Sequence, residues 1–176
     1  MARGGGQVVK LYLVRHAIAV PHFTPDYEDD SQRPLTDKGR AKMRDITRGL
    51  KALGVAPQII LSSPYVRARQ TAEILREGLD VQNPIVFTEN LLPLAHPDHM
   101  WEELKQYSGV DSMALVGHEP NMSALANLLL GVTRLQIVFK KGGVCHMTVD
   151  DLSGAPAAVL QWLLTPKQMI AIGNKK

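Results

Sequence analysis

Apolar runs of strand length alternate with stretches of helical period along most of the chain. Val8 to Ala17, VVKLYLVRHA, is nearly continuous in Val and Leu and stops on Arg15 and His16. Continuous rather than alternating hydrophobicity predicts a strand buried on both faces, as in a parallel sheet. QIILSS (58–63), IVFT (85–88) and SMALVG (112–117) read as further strands. LTDKGRAKMRDITRGLKALG predicts a helix with Thr36 as N-cap, Leu35 as staple and Gly54 at C′. Its buried face carries Met43, Ile46, Leu50 and Leu53. Gly39 costs stability in its first turn, and nothing in the sequence accounts for it. PYVRARQTAEILREG predicts a second helix, with Ser63 at N-cap, Pro64 at N1 and Arg67 about one turn in. HPDHMWEELKQY and HEPNMSALANLLLG, with Pro97 and Pro120 near their starts and Gly131 past the second, complete a fourfold β-α alternation.

After Gly131 the pattern changes. LQIVF, GVCHMTVD and AAVLQWLL are spaced as late strands joined by turns at Lys141–Gly143 and Ser153–Pro156, with one or two antiparallel at the sheet edge. TPKQMIAIG predicts a short terminal helix capped by Thr165, with Pro166 at N1. Together these elements predict an α/β fold: a three-layer α/β/α sandwich with a mainly parallel central sheet. With no repeat, low-complexity stretch or linker, one domain is expected over 1–176, with 1–7 a flexible N-terminus.

Composition narrows the function classes. The 176 residues suit one well-buried core, and 45% hydrophobic with 21% charged residues is ordinary for a globular chain. A formal charge of +3 without a Lys/Arg run argues against nucleic acid, and no apolar run approaches membrane-span length. The N-terminus lacks the apolar segment of a secretory signal. Cys145 is the single cysteine, so an internal disulfide and a cysteine metal cluster are excluded, and a reducing cytoplasm is the expected location.

Candidate chemistry lies at three strand ends. The first carries Arg15 and His16, the second Ser62, Ser63 and then Arg67, the fourth Gly117 and His118. Alone, Arg15 and His16 are equally well the polar close of a strand. Parallel strands, however, bring their carboxyl ends to one side, where α/β folds keep ligand sites. Two guanidiniums and two imidazoles with no carboxylate among them make an anion site, and Arg forks match phosphate oxygens. Neighbouring cations lower a histidine's pKa, and neutral imidazole is a nucleophile toward phosphorus. No cofactor is called for, and adjacent arginines disfavour a metal. The proline-punctuated loop 18–34, with an acidic patch at Glu28 to Asp30, is expected over the sheet edge close to His16.

LVRHA, LSSPYVRARQTAEIL and LVGHEPNMSALA resemble the three motifs of the histidine phosphatase superfamily, the phosphoglycerate-mutase-like fold, and within it the small SixA-type phosphohistidine phosphatases. RPLTDKGRAKM and LQWLLTPKQM extend the resemblance from about Val8 to Met169. It implies that His16 is the phosphorylated nucleophile, that Arg15 and Arg67 bind phosphate, and that His118 contacts the phosphoryl group. Arg33 is a candidate substrate contact, equally well a solvated loop residue. Glu89 is the nearest candidate for the general acid of larger members, though its surroundings do not match theirs. Ala17 stands where a glycine is usual, which points to the small phosphohistidine-phosphatase-like members.

The shortness of 78–113 leaves little room for the lid of the mutase-like enzymes. The expected function is therefore a phosphatase acting through phosphohistidine, with phosphohistidine on a phosphorelay protein as substrate. A small-molecule phosphomonoesterase or pyrophosphatase of the same mechanism is the alternative. A phosphate-binding module without turnover is the non-enzyme alternative. His22 lies near the site. His96 and His99 flank a helix start, and His146, Trp101, Trp162 and Cys145 read as structural, as do Lys140 and Lys141 at a turn.

Overall fold

The computed structural model describes residues 8–133 and 135–175. The expectation for 1–7 therefore lies outside the described residues. Six strands, β1 (Val9–Arg15), β2 (Ile59–Ser62), β3 (Val86–Phe87), β4 (Ser112–Gly117), β5 (Val144–Val149) and β6 (Ala158–Leu164), form one sheet in the order β3-β2-β4-β1-β5-β6. β3, β2, β4 and β1 pair in parallel, and β5 runs antiparallel to both its neighbours, β1 and β6.

The pleat sorts side chains into two cores. Tyr12 and Val14 of β1 join Met43, Ile46, Leu75 and Met169 on one face. Leu11 and Leu13 join Met100, Leu104, Met122 and Leu125 on the other. Helices α1 (Asp37–Ala52), α2 (Val66–Gly78) and α5 (Pro166–Gly173) therefore cover one face, and α3 (Pro97–Leu104) and α4 (Asn121–Leu129) the other. This is the expected three-layer sandwich. Among the described residues, no helix is long and apolar enough to cross a membrane.

Two expectations are corrected. LQIVF forms no strand: residues 135–139 pair with no neighbour in the sheet, and the Phe139 carbonyl accepts from the Arg15 side chain rather than from a ladder. Leu53 is not on the buried face of α1. It is the C-cap, 40% exposed, and the chain turns away at Gly54 with φ +74°.

Gly39 now has its reason. A Cβ there would lie 2.0 Å from the carbonyl oxygen of Ile18. The first turn of α1 is pressed onto the chain just beyond His16, and Thr36 N donates to the same oxygen at 3.0 Å. A bridge between Ala19 and Leu35, with Val20 N donating to Pro34 O at 2.9 Å, closes the neck of the intervening loop.

Candidate active site

β1 lies beside β4, and β4 beside β2, so the three chemistry-bearing strand ends are neighbours at one edge. Backbone hydrogen bonds tie them beyond the ladders: His16 N donates to Gly117 O at 3.0 Å, and Ser63 N to Val116 O at 2.9 Å. The rings of His16 and His118 come to 5.0 Å between centroids. The convergence expected from the parallel sheet is present.

His16 is 6% exposed, and its Nδ1 lies 2.7 Å from the carbonyl oxygen of Ala17. A carbonyl only accepts, so Nδ1 carries the hydrogen and Nε2 keeps its lone pair. Burial, more than the charges of Arg67, Arg15 and Lys141, lowers its pKa to about 3, against the opposing effect of the Ala17 hydrogen bond. The neutral state was expected, but from cations alone. Burial is the larger cause. Ala17 N donates to Thr71 Oγ1 at 3.1 Å, and that hydroxyl donates to Arg67 O at 2.7 Å. Thr71, unmarked in the sequence, thus couples the nucleophile's strand end to the arginine's helix.

α2 begins at Val66 with Tyr65 as its N-cap, not at Pro64. The expected cap, the Ser63 hydroxyl, lies 2.9 Å from His118 Nε2 and accepts from Tyr65 N at 3.3 Å. Tyr65 O instead accepts from Ala68 and Arg69, and Arg67 is the second residue of the helix. The Arg67 guanidinium stands 5.0 Å over the Tyr65 ring, which meets His118 edge-on. His118 is 1% exposed, and burial, reinforced by His16 and Arg67, lowers its pKa to about 2. Three buried nitrogens of the cluster have no protein partner: Arg15 Nε, Arg67 Nε and His118 Nδ1. Arg15 is otherwise fixed by donating from Nη1 to Phe139 O at 2.6 Å.

The expectation of a cluster free of carboxylates is not met. Asp30 Oδ2 accepts from Arg67 Nη2 at 2.9 Å, and Asp30 O accepts from Arg67 Nη1 at 2.7 Å. Asp30 Oδ1 lies 2.7 Å from Arg33 Nε. Burial opposes the Asp30 charge, but the two guanidiniums outweigh it and hold the carboxyl below its usual range. The acidic patch in the loop was the available signal, since the loop was expected near His16. Its partner was not legible.

Arg33 is 4% exposed, so it is no solvated loop residue. Besides Asp30 it donates to Val20 O and, through Nη2, to His22 Nε2 at 3.0 Å. His22 in turn reaches Asp30 through Nδ1 at 2.9 Å. Glu89 opens a 3-10 turn, Glu89–Leu91, and is exposed. Among the described residues its side chain makes no hydrogen bond or ion pair with the cluster. His96 pairs with Asp98 on the surface. His146 stacks on Tyr12, and Cys145 is buried with its thiol pKa pushed up by burial to about 12.

Two buried histidines and two arginines at the carboxyl edge of a parallel sheet define a class of phosphoryl-handling α/β protein. A model of the histidine phosphatase superfamily (branch 1) matches residues 11–93. An uncharacterized protein of Picosynechococcus sp. is 35% identical over 139 residues, 77% of this chain and 82% of its own. The phosphohistidine phosphatase SixA of Escherichia coli K12 is 26% identical over 161 residues, 90% of this chain and 94% of its own. A structure of the protein histidine phosphatase SixA complexed with tungstate superposes with a TM-score of 0.81 at 26% identity, over 92% of this chain and 99% of that one. The chain belongs to the histidine phosphatase superfamily and has the SixA-like fold.

Proposed function

We propose that the protein hydrolyses phosphohistidine on a phosphorelay protein, with His16 as the nucleophile. The carrying observation is the set of unpartnered buried nitrogens Arg15 Nε, Arg67 Nε and His118 Nδ1, the last a donor in the tautomer whose Nε2 accepts from Ser63 Oγ, beside a histidine whose Nε2 lone pair is free. Buried donors of this kind are costly unless a ligand satisfies them. Three donors on cationic or imidazole groups suit the three oxygens of a phosphoryl group.

In the first step His16 Nε2 forms a bond to phosphorus as the P–N bond to the substrate ring breaks. The substrate imidazole, protonated from solvent on its other nitrogen, leaves neutral. Water then attacks phosphorus, His16 Nε2 leaves, and inorganic phosphate carries away the phosphoryl group. Arg15, Arg67 and His118 hold the equatorial oxygens throughout. An imidazole leaves without the carboxylic acid that an alkoxide needs. Asp30, the carboxylate bonded to Arg67, is held ionised by Arg33 and Arg67. That state favours a P–N over a P–O substrate and assigns Glu89 no part. The name of the related SixA, and the tungstate in the SixA structure, lend further support. The same proposal puts the reaction in the cytoplasm.

Single-turnover release of ³²P from a phosphohistidine carrier domain, beside an aryl phosphate, tests this. Fast release from the carrier, slow release from the ester and loss of both in His16→Ala are expected. Efficient turnover of the ester with the carrier ignored would transfer the assignment to a small-molecule phosphatase. Equal inertness of wild type and variant would leave a binding module.

A further inference from the structure

The three most exposed large apolar side chains of the described residues are Phe23 at 99%, Leu94 at 90% and Val138 at 70%. All three lie on segments at the edge that carries His16. Phe23 is in the loop that follows β1, and with His22, Asp30 and Arg33 it lines a cavity of about 490 Å³. Leu94 follows the 3-10 turn after β3, in a stretch pinned beside His118 by Asn121 Nδ2, which donates to Asn90 O and Leu92 O at 3.0 and 2.9 Å. Val138 precedes Phe139, whose carbonyl holds Arg15. Single exposed apolar residues are ordinary, but their collection around one polar site marks an interaction surface.

Away from the Phe23 cavity, whose lining also carries Glu28 and Asp30, the charge on this rim is positive. Arg15, Lys42, Lys140, Lys141 and Lys167 line a second cavity, of about 540 Å³, that opens on the site from α1, the turn before β5 and α5. Lys51 and Lys105 pair with Asp80 and Glu102, whereas no ion pair is found for these four lysines among the described residues. Apolar anchors beside free cations fit a protein face that mixes apolar and acidic residues.

We propose that this rim docks an acidic protein domain bearing the phosphohistidine, with Phe23, Leu94 and Val138 as anchors and the four lysines reading its charge. The inference rests on the function proposed above, and its test separates the two. Two variants are compared with wild type: Phe23→Asn with Leu94→Ser and Val138→Ser, and Lys42→Gln with Lys140→Gln and Lys167→Gln. Each is assayed on an acidic carrier domain phosphorylated on histidine and on free phosphohistidine, whose turnover also reports folding. For the carrier, KM is expected to rise about tenfold or more in each variant with kcat retained, as for loss of interface anchors. Free phosphohistidine should be turned over within about twofold of wild type. The carrier KM of wild type should also rise with salt, and less so in the lysine variant. An unchanged carrier KM in both variants overturns the docking surface and leaves the proposed function standing. A wild type that hydrolyses free phosphohistidine and ignores the carrier, or ignores both, overturns the proposed function and the docking surface with it.

Discussion

Asp30 Oδ2 lies 2.9 Å from Nη2 of Arg67, the guanidinium expected to take the phosphoryl group. The carboxylate and an incoming phosphoryl group, which takes the free Nε, compete for the charge of the same guanidinium. Asp30→Asn removes the competing charge while keeping an acceptor of similar shape. Inorganic phosphate should then inhibit about tenfold more tightly, a modest share of what a like charge a few ångströms away does to an anion. The inhibition constant of phosphate in wild type and variant checks this. An unchanged constant would mean that Arg67 does not take the phosphate.

The two site histidines carry a pH signature. Their pKa values, about 3 for His16 and about 2 for His118, lie below the value near 6.5 of an unfolded chain. A depressed folded pKa gives stability that is complete above about pH 6.5 and is lost as pH falls toward the folded value. Denaturant midpoints should decline between about pH 6.5 and 3, with a shallower slope in His16→Ala and His118→Ala. The ring resonances of both histidines should show no titration between pH 8 and 5.

Thr71 is fully buried and holds Ala17 N and Arg67 O through one hydroxyl. Thr71→Val keeps the volume but leaves the Ala17 N–H without a partner. The expected cost is about 1–3 kcal/mol in urea unfolding. Loss of the link between His16 and Arg67 should also lower kcat about tenfold or more, since positioning errors of an ångström weigh heavily on rate.

Gly39→Ala tests the contact with Ile18. With Ile18 O at 2.0 Å from the new Cβ, backbone must move, and about 2–3 kcal/mol of stability should be lost. Lys38→Ala, on the exposed side of the same turn, should stay within about 0.5 kcal/mol of wild type by the same measurement.

Arg15, His16, Arg67 and His118 were legible together because parallel strands share a carboxyl edge, a rule that needs no distances. The capping of α1 by Thr36 and the start of α5 at Pro166 were legible for a similar reason, being set within a few residues of sequence. What escaped depends on distant parts of the chain. Gly39 answers to a carbonyl 21 residues upstream, between positions 18 and 39, and Asp30 meets an arginine 37 residues away. Ser63 looked like a cap because it precedes Pro64, but His118 claims its hydroxyl across 55 residues. LQIVF has strand composition, yet composition does not say whether a ladder edge is free.

The neck formed by Ala19 with Leu35 makes the segment between them an Ω-type cassette, closed on itself and fastened at its base. His16 is set by the sheet below that clasp and owes its position to nothing inside the cassette. Insertions between Phe23 and Tyr27, short of the Asp30 that holds Arg67 and of the buried Arg33, should therefore be borne at little cost to the nucleophile, since closing a longer surface loop adds only about 0.6 kcal/mol per doubling. The chain is built so that what it accepts can be rewritten at the tip of one replaceable stretch, Phe23 included, while Asp30 and the chemistry beneath are inherited unchanged.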